Sequence, residues 1–324
     1  MCMFIKITLL LSLSSPAFAQ RGDVSLSAPA ARIQQYVYDL ADDSMMGRVT
    51  GTREHVKAAK YVAQSLRTMG IRPAFYDAGA AADGYFHEFH VEADRLGDGP
   101  VRTFNVVGIV DGADPARRHE YVVVGAHLDH VGWPDESQVY NGASDNASGV
   151  ATVLEVAGKF AADPPPQSIL FAFYSGEELG KLGSLAFVEL MDDADATLLV
   201  NVNVDDVGHL EREPSGAPII GLLHGNLNCP RLIDTALEIG QALDLAVTDL
   251  DRKKSFTRSD HFSFFAAGLP VLFFTSGFEY EEYHQPTDVP STLDYSQLAR
   301  VAELADGVVR AVADNSASCT ALSR

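Results

Sequence analysis

The chain has 324 residues, 47% of them hydrophobic and 21% charged, enough apolar material for one large buried core or two ordinary ones. Its 44 acidic and 24 basic side chains leave a formal charge of −20. Such a surface repels nucleic acid and anionic lipid, which argues against both as partners.

The first residues read as a secretory leader. Lys6 supplies the positive charge, Ile7 to Leu13 the apolar run, and Ala17-Phe18-Ala19 a small-x-small cleavage site. That run is too short to cross a bilayer, and no later segment is long and apolar enough, so no stable membrane insertion is expected. The expectation is an exported protein, periplasmic or extracellular, with residues 1–19 as signal peptide and 20–324 as one catalytic domain. Removal of the leader takes one Lys and no acid, leaving the chain more negative still. Cys229 and Cys319 remain, and their spacing does not decide whether they pair.

Apolar residues recur at helical spacing over 30–40 and again over 55–69, where Gly70 stops them. Short β-rich runs follow at 104–110, 121–126, 168–174, 198–204, 218–223 and 270–275. Helical stretches lie at 147–162, 182–191, 230–243, 259–267 and 296–313. Strands alternating with helices predict an α/β sheet with largely parallel strands. Pro164-Pro165-Pro166 is a turn between a helix and a strand, and there is no repeat or long linker. One domain is the better reading.

Five short motifs carry the candidate chemistry. His127-Leu128-Asp129 follows an apolar strand; an imidazole there can hold a metal while a carboxylate two residues on accepts its other ring N–H. The plainer reading is a hydrogen-bonded polar residue at a strand end. Gly142-Ala143-Ser144-Asp145-Asn146-Ala147-Ser148-Gly149 precedes a helix and would ordinarily be its N-cap, but it is over-supplied with capping groups. Ser175-Gly176-Glu177-Glu178 ends the next strand; adjacent carboxylates there repel each other and resist desolvation, and a divalent cation is the simplest compensation. Asn203-Val204-Asp205-Asp206 and Tyr283-His284-Gln285-Pro286 each read singly as turns.

Jointly they say more. Most of the motifs sit at the C-terminal ends of predicted strands and His284 follows the last of these strands, on the edge where open parallel sheets bind ligands. Two histidines with three carboxylates suit zinc, which accepts both nitrogen and oxygen. Five ligands exceed the needs of one open catalytic ion and fit two ions sharing a carboxylate. No cysteine belongs to the set, which argues against a closed structural site.

In order and spacing these motifs closely resemble the co-catalytic zinc aminopeptidase family. That family includes bacterial leucyl aminopeptidases, glutamate carboxypeptidases, glutaminyl cyclases and the transferrin receptor. The resemblance runs from about Leu40 to the C-terminus, and Leu40-Ala41-Asp42-Asp43 through Gly47-Arg48 and Gly51-Thr52 looks like the family's N-terminal region. It implies a single domain with a mixed, largely parallel, eight-stranded sheet sandwiched by helices; residues 73–101 leave no room for the domain some members insert. It also implies two zinc ions bridged by Asp145, one completed by Glu178 and His284 and the other by His127 and Asp205. Asp129 would orient His127, Glu177 would be the general base, and the peptide after Asp145 would be cis. Phe256 stands where some members carry a tyrosine that donates to the oxyanion, so His261 is the expected substitute, with Arg258 behind it. The implied activity is removal of the N-terminal residue from peptides with a free amino terminus. A carboxypeptidase or dipeptidase on the same site is the alternative. A glutaminyl cyclase commonly works with one zinc and a binding protein would have lost ligands, so the full set argues against both.

Overall fold

The computed structural model describes residues 26–75, 83–92, 100–132, 138–194, 196–229, 231–250 and 255–317. The leader and Cys319 lie outside the described residues, while Cys229 is disulfide-bonded.

Two helices come first. α1 (Ala28–Leu40) is capped by Ser27 Oγ, which accepts from Ala30 N, and it buries Ala30, Ile33, Val37 and Leu40. α2 (Arg53–Thr68) is capped by Thr52, buries Ala58, Ala59, Val62, Ala63 and Leu66, and ends at Gly70 in the left-handed region. The strands follow: β1 (Arg72–Pro73), β2 (Phe86–Val91), β3 (Val101–Val110), β4 (Glu120–His127), β5 (Ser168–Tyr174), β6 (Thr197–Val204), β7 (Ile219–Gly225), β8 (Ala246–Asp249) and β9 (Val271–Thr275). Between and after them lie α3 (Gly149–Ala162), α4 (Leu182–Asp193), α5 (Leu232–Ala242), α6 (His261–Ala266) and α7 (Tyr295–Ala313).

All nine strands form one sheet in the order β1-β3-β5-β4-β6-β9-β7-β8, with β2 also on β3. β1 pairs with Gly108 and Ile109 of β3, and β2 pairs with Val101 to Val106 on the same edge. The two share one lane, so the sheet is eight strands wide, as the resemblance implied. β1, β2 and β8 escape sequence reading because their signals are faint: two residues ending in proline, a run broken by His87, Glu88 and His90, and four residues at an edge.

The central lanes β5, β4, β6 and β9 are mutually parallel, which brings His127, Tyr174, Val204 and Thr275 to one edge. Their near-continuous apolar character follows from burial on both faces. On one face Val200, Val202 and Val204 of β6 join the larger core with α1, α2, α3 and α7. On the other, Tyr174, Phe187 and Phe264 form a smaller core under α4 and α6.

The side chain of Arg48 ties the N-terminal layer to the sheet edge. Arg48 is fully buried. Its Nε donates to Leu128 O (2.9 Å), Nη1 to Leu40 O (2.8 Å) and Asn141 O (2.7 Å), and Nη2 to Gly142 O (2.9 Å). Removing the guanidinium would strand four buried carbonyls without a donor. Arg48→Met is therefore expected to lower the urea unfolding free energy by about 3–5 kcal/mol; a loss below about 1 kcal/mol would show that the clamp is dispensable.

Candidate active site

Each motif reaches the sheet edge by a different local device. His127 is the last residue of β4. Asp145 lies in an irregular turn, Ala143–Ser148, that feeds α3, and its peptide bond to Asn146 is cis. The glycines flanking that turn are needed there: a Cβ on Gly142 would lie 2.2 Å from Asp145 O, and one on Gly149 would lie 2.2 Å from Asn146 Oδ1. Glu177 and Glu178 follow β5 after Gly176, and Asp205 follows β6. His284 sits in the loop between β9 and α7, itself in the left-handed region.

These devices bring the five expected ligand residues into two groups that share Asp145. His127 Nε2 lies 3.1 Å from Asp205 Oδ1 and 3.3 Å from Asp145 Oδ1. His284 Nε2 lies 3.0 Å from Asp145 Oδ2 and 3.5 Å from Glu178 Oε1. One aspartate thus presents a different oxygen to each group. Among the described residues, His127, Asp145 and Asp205 place one donor atom each within 4.8 Å of one another, and so do His130, Asp145, Glu178 and His284. Either group could hold a metal ion.

His130 is the member the sequence reading missed. Its Nδ1 is 3.2 Å from Glu178 Oε1, and the signal was available as a second histidine three residues after His127 in the same short loop. Further supports were also unread. Asp288 accepts from Ser144 N (2.8 Å) and Asp145 N (3.1 Å), fixing the bridging turn from the far side. Asn146 Oδ1 accepts from Gly149 N and from Asp206 N, tying that turn to the end of β6.

His127 Nδ1 faces the backbone carbonyl of Asp129 at 3.1 Å, while the nearest Asp129 carboxylate oxygen is 3.8 Å away. That carboxylate instead accepts from Thr50 Oγ1 (3.0 Å), Glu177 N (3.2 Å) and Glu178 N (3.4 Å). Asp129 therefore holds His127 through its main chain and shapes the Glu177–Glu178 turn through its side chain. His261 lies among aromatic side chains. Its ring is fully buried, stacked on Phe273 at 4.2 Å, and burial pulls its pKa down to about 3. Arg258 is exposed and donates to Tyr283 Oη at 3.2 Å.

The electrostatics are lopsided. Asp129, Asp145, Asp205, Asp206, Asp260 and Asp288 are all buried, and Arg48 is the one fully buried permanent cation among the described residues. Burial, and then Asp260, Asp205 and Glu178, hold Glu177 well above the usual carboxylate range against the pull of His127. Burial would lower His284, but hydrogen bonds to Asp145 and Glu178 raise it to about 10. Burial likewise opposes protonation of His127, and the neighbouring Asp205 and Asp145 overcome it. The cluster attracts positive charge, and its nitrogen and carboxylate donors fit a divalent ion such as zinc. Glu177 belongs to neither donor group, and among the described residues its carboxylate makes no hydrogen bond.

The family model of peptidase family M28 matches residues 105–309, and the chain belongs to that family. A probable leucine aminopeptidase of Arthroderma otae is 28% identical over 204 residues, covering 60% of this chain and 54% of the relative. The chain thus spans about half the length of that curated relative. In fold it is similar to a zinc aminopeptidase from Bacillus subtilis (TM-score 0.65, 17% identity, 87% of this chain and 94% of the other). It is similar also to Fimbriiglobus ruber glutaminyl cyclase (TM-score 0.67, 19% identity, 87% and 94%).

Asp260 offers a test of this charge balance. Burial lifts its pKa from 3.8 to about 7, helped by Asp129 and Asp205 and opposed by His127. In the folded chain it keeps its proton after the unfolded chain has lost its own, so it removes stability as pH rises from about 4 to 7 and returns none above. Asp260→Asn is expected to raise the urea midpoint of the metal-free protein at pH 8 and to leave it little changed at pH 4. An equal gain at both pH values would contradict the shift.

Proposed function

We propose that this chain is an exported metallo-aminopeptidase that cleaves the N-terminal residue from peptides with two zinc ions. His127 and Asp205 would hold one ion, Glu178 and His284 the other, and Asp145 would lie between them. The observation that carries this reading is the division of Asp145, with Oδ1 toward His127 and Oδ2 toward His284. Membership of peptidase family M28 and the names of similar proteins support it. Export rests on the leader-like sequence alone.

When bound, the zinc ions would acidify a water and polarise the scissile carbonyl. Glu177, beside both donor groups and in neither, would take a proton at its carboxylate and pass it to the departing amine. Asp129 keeps that carboxylate aimed by accepting the backbone N–H groups of Glu177 and Glu178. His130 would donate from Nδ1 to Glu178 Oε1, fixing the orientation of a ligand. The bridging turn needs no such help, since Asp288 already fixes Ser144 and Asp145.

Aminoacyl-nitroanilides with N-acetylated counterparts test the activity. Free-amine substrates alone should be hydrolysed, with loss on chelation and recovery with zinc; protein loaded with zinc that cleaves none of them would sink the aminopeptidase reading. Glu177→Gln is expected to lower kcat by at least about 100-fold. Its zinc content should match wild type by atomic absorption, and near-normal turnover would remove Glu177 from the mechanism.

A further inference from the structure

His130 lies three residues past the end of β4, and its side chain is fully buried. Gly142 makes room for the ring: a Cβ there would lie 2.5 Å from His130 Cγ and 2.6 Å from Cδ2. Arg48 holds the carbonyl of the same glycine at 2.9 Å, so the seat of the imidazole is fixed by the main chain. Among the described residues His130 Nε2 has no hydrogen-bond partner. The polar work of this ring falls to Nδ1.

That nitrogen faces the same two carboxylate oxygens as His284. Nδ1 lies 3.2 Å from Glu178 Oε1 and 3.7 Å from Asp145 Oδ2. His284 Nε2 lies 3.5 Å and 3.0 Å from the same two atoms. The two rings meet at 80° with centroids 5.5 Å apart, so their nitrogens approach the oxygens from different sides. A tetrahedral zinc ion with bonds of about 2.0–2.1 Å spaces its donors by roughly 3.4 Å, inside the 3.0–3.7 Å spread found here. His127, placed above as a ligand, meets Asp205 Oδ1 at 3.1 Å. No distance sets His130 apart from it.

We propose that His130 Nδ1 is itself a ligand of the ion held by Asp145, Glu178 and His284. The inference rests on the two-zinc reading above and deepens it. Donation from Nδ1 to Glu178 describes this half of the site while the nitrogen keeps its proton; release of that proton to solvent frees the lone pair for coordination. The two halves then differ. One offers two nitrogens and two carboxylates, while His127, Asp145 and Asp205 offer one nitrogen and two carboxylates. Four protein donors nearly complete the shell of a zinc ion, and three leave it open. The half that contains His130 therefore fills first and empties last.

X-ray absorption at the zinc edge counts imidazoles directly and does not depend on turnover. Wild type carrying one zinc per chain should show two imidazoles on the ion, and His130→Asn should show one. Asn separates the two roles, because its amide can still donate to Glu178 but is a poor zinc ligand. In competition with a chromogenic chelator, the first zinc of His130→Asn should bind at least about 100-fold more weakly than that of wild type, and His130→Ala should match it. Circular dichroism would establish that both variants are folded. One imidazole in wild type overturns the proposal, as does wild type that retains no zinc. An affinity in His130→Asn within about threefold of wild type does so too, since it would leave His130 only a support for Glu178. Two imidazoles in wild type that cleaves no aminoacyl-nitroanilide would instead count against the aminopeptidase reading and leave the ligand in place.

Discussion

The Arg48 guanidinium, buried among four carbonyl oxygens, is the contact on which the geometry of the site depends. It gathers the end of α1, the loop after β4 and the entry to the bridging turn onto one rigid planar group. Burial lowers its pKa to about 10, and the field of Asp145, Asp288, Asp129 and Glu178 works against that loss. The same charge that orders the loops thus lowers the repulsion among the carboxylates they carry. Thr50, two residues on, extends this support by donating to Asp129 Oδ2 and accepting from Gly176 N. A segment outside the matched family region therefore forms the floor of the site.

Above that floor the acids remain in excess. A parallel sheet edge can collect carboxylates because each strand end frees backbone N–H groups and exits into a turn, as Asp129 and Asp288 exploit here. It cannot neutralise them with hydrogen bonds alone. His127 and His284 are drawn toward the protonated state for this reason, and a metal cation would take the place of those protons. Glu177 belongs to neither donor group and, among the described residues, its carboxylate makes no hydrogen bond, which leaves it available to a reacting proton.

Outside the cluster, the aromatic residues of the 278–284 loop give the site its outer wall. Phe278, Tyr280 and Tyr283 connect to His284 by stacking and edge contacts rather than by hydrogen-bonded chains. Arg258 rests on that wall. His261, three residues later, turns the opposite way and packs on Phe273, because α6 must bury a face against β9.

The sequence alone determined the alternation of strands and helices, the sheet edge on which the candidate chemistry lies, and most of the residues that converge there. Strand runs such as 168–174 are apolar throughout because both faces are covered, and the motifs of His127, Glu177–Glu178 and Asp205 each end or follow one directly, so order along the chain reported position at the edge. Tertiary structure alone decided direction. Whether Asp129 turns its carboxylate to His127 or to the amides of Glu177 and Glu178 depends on a loop held by Arg48 and Thr50 from far up the chain. Whether a histidine after a serine and an aspartate faces the site or the core depends on which side of α6 packs on the sheet. Residues such as Arg48, Asp288 and His130 act through partners up to 144 residues away, as in Asp288 to Ser144 N. Local spacing carries no record of such contacts, because they are set by packing between elements and not by the period within one.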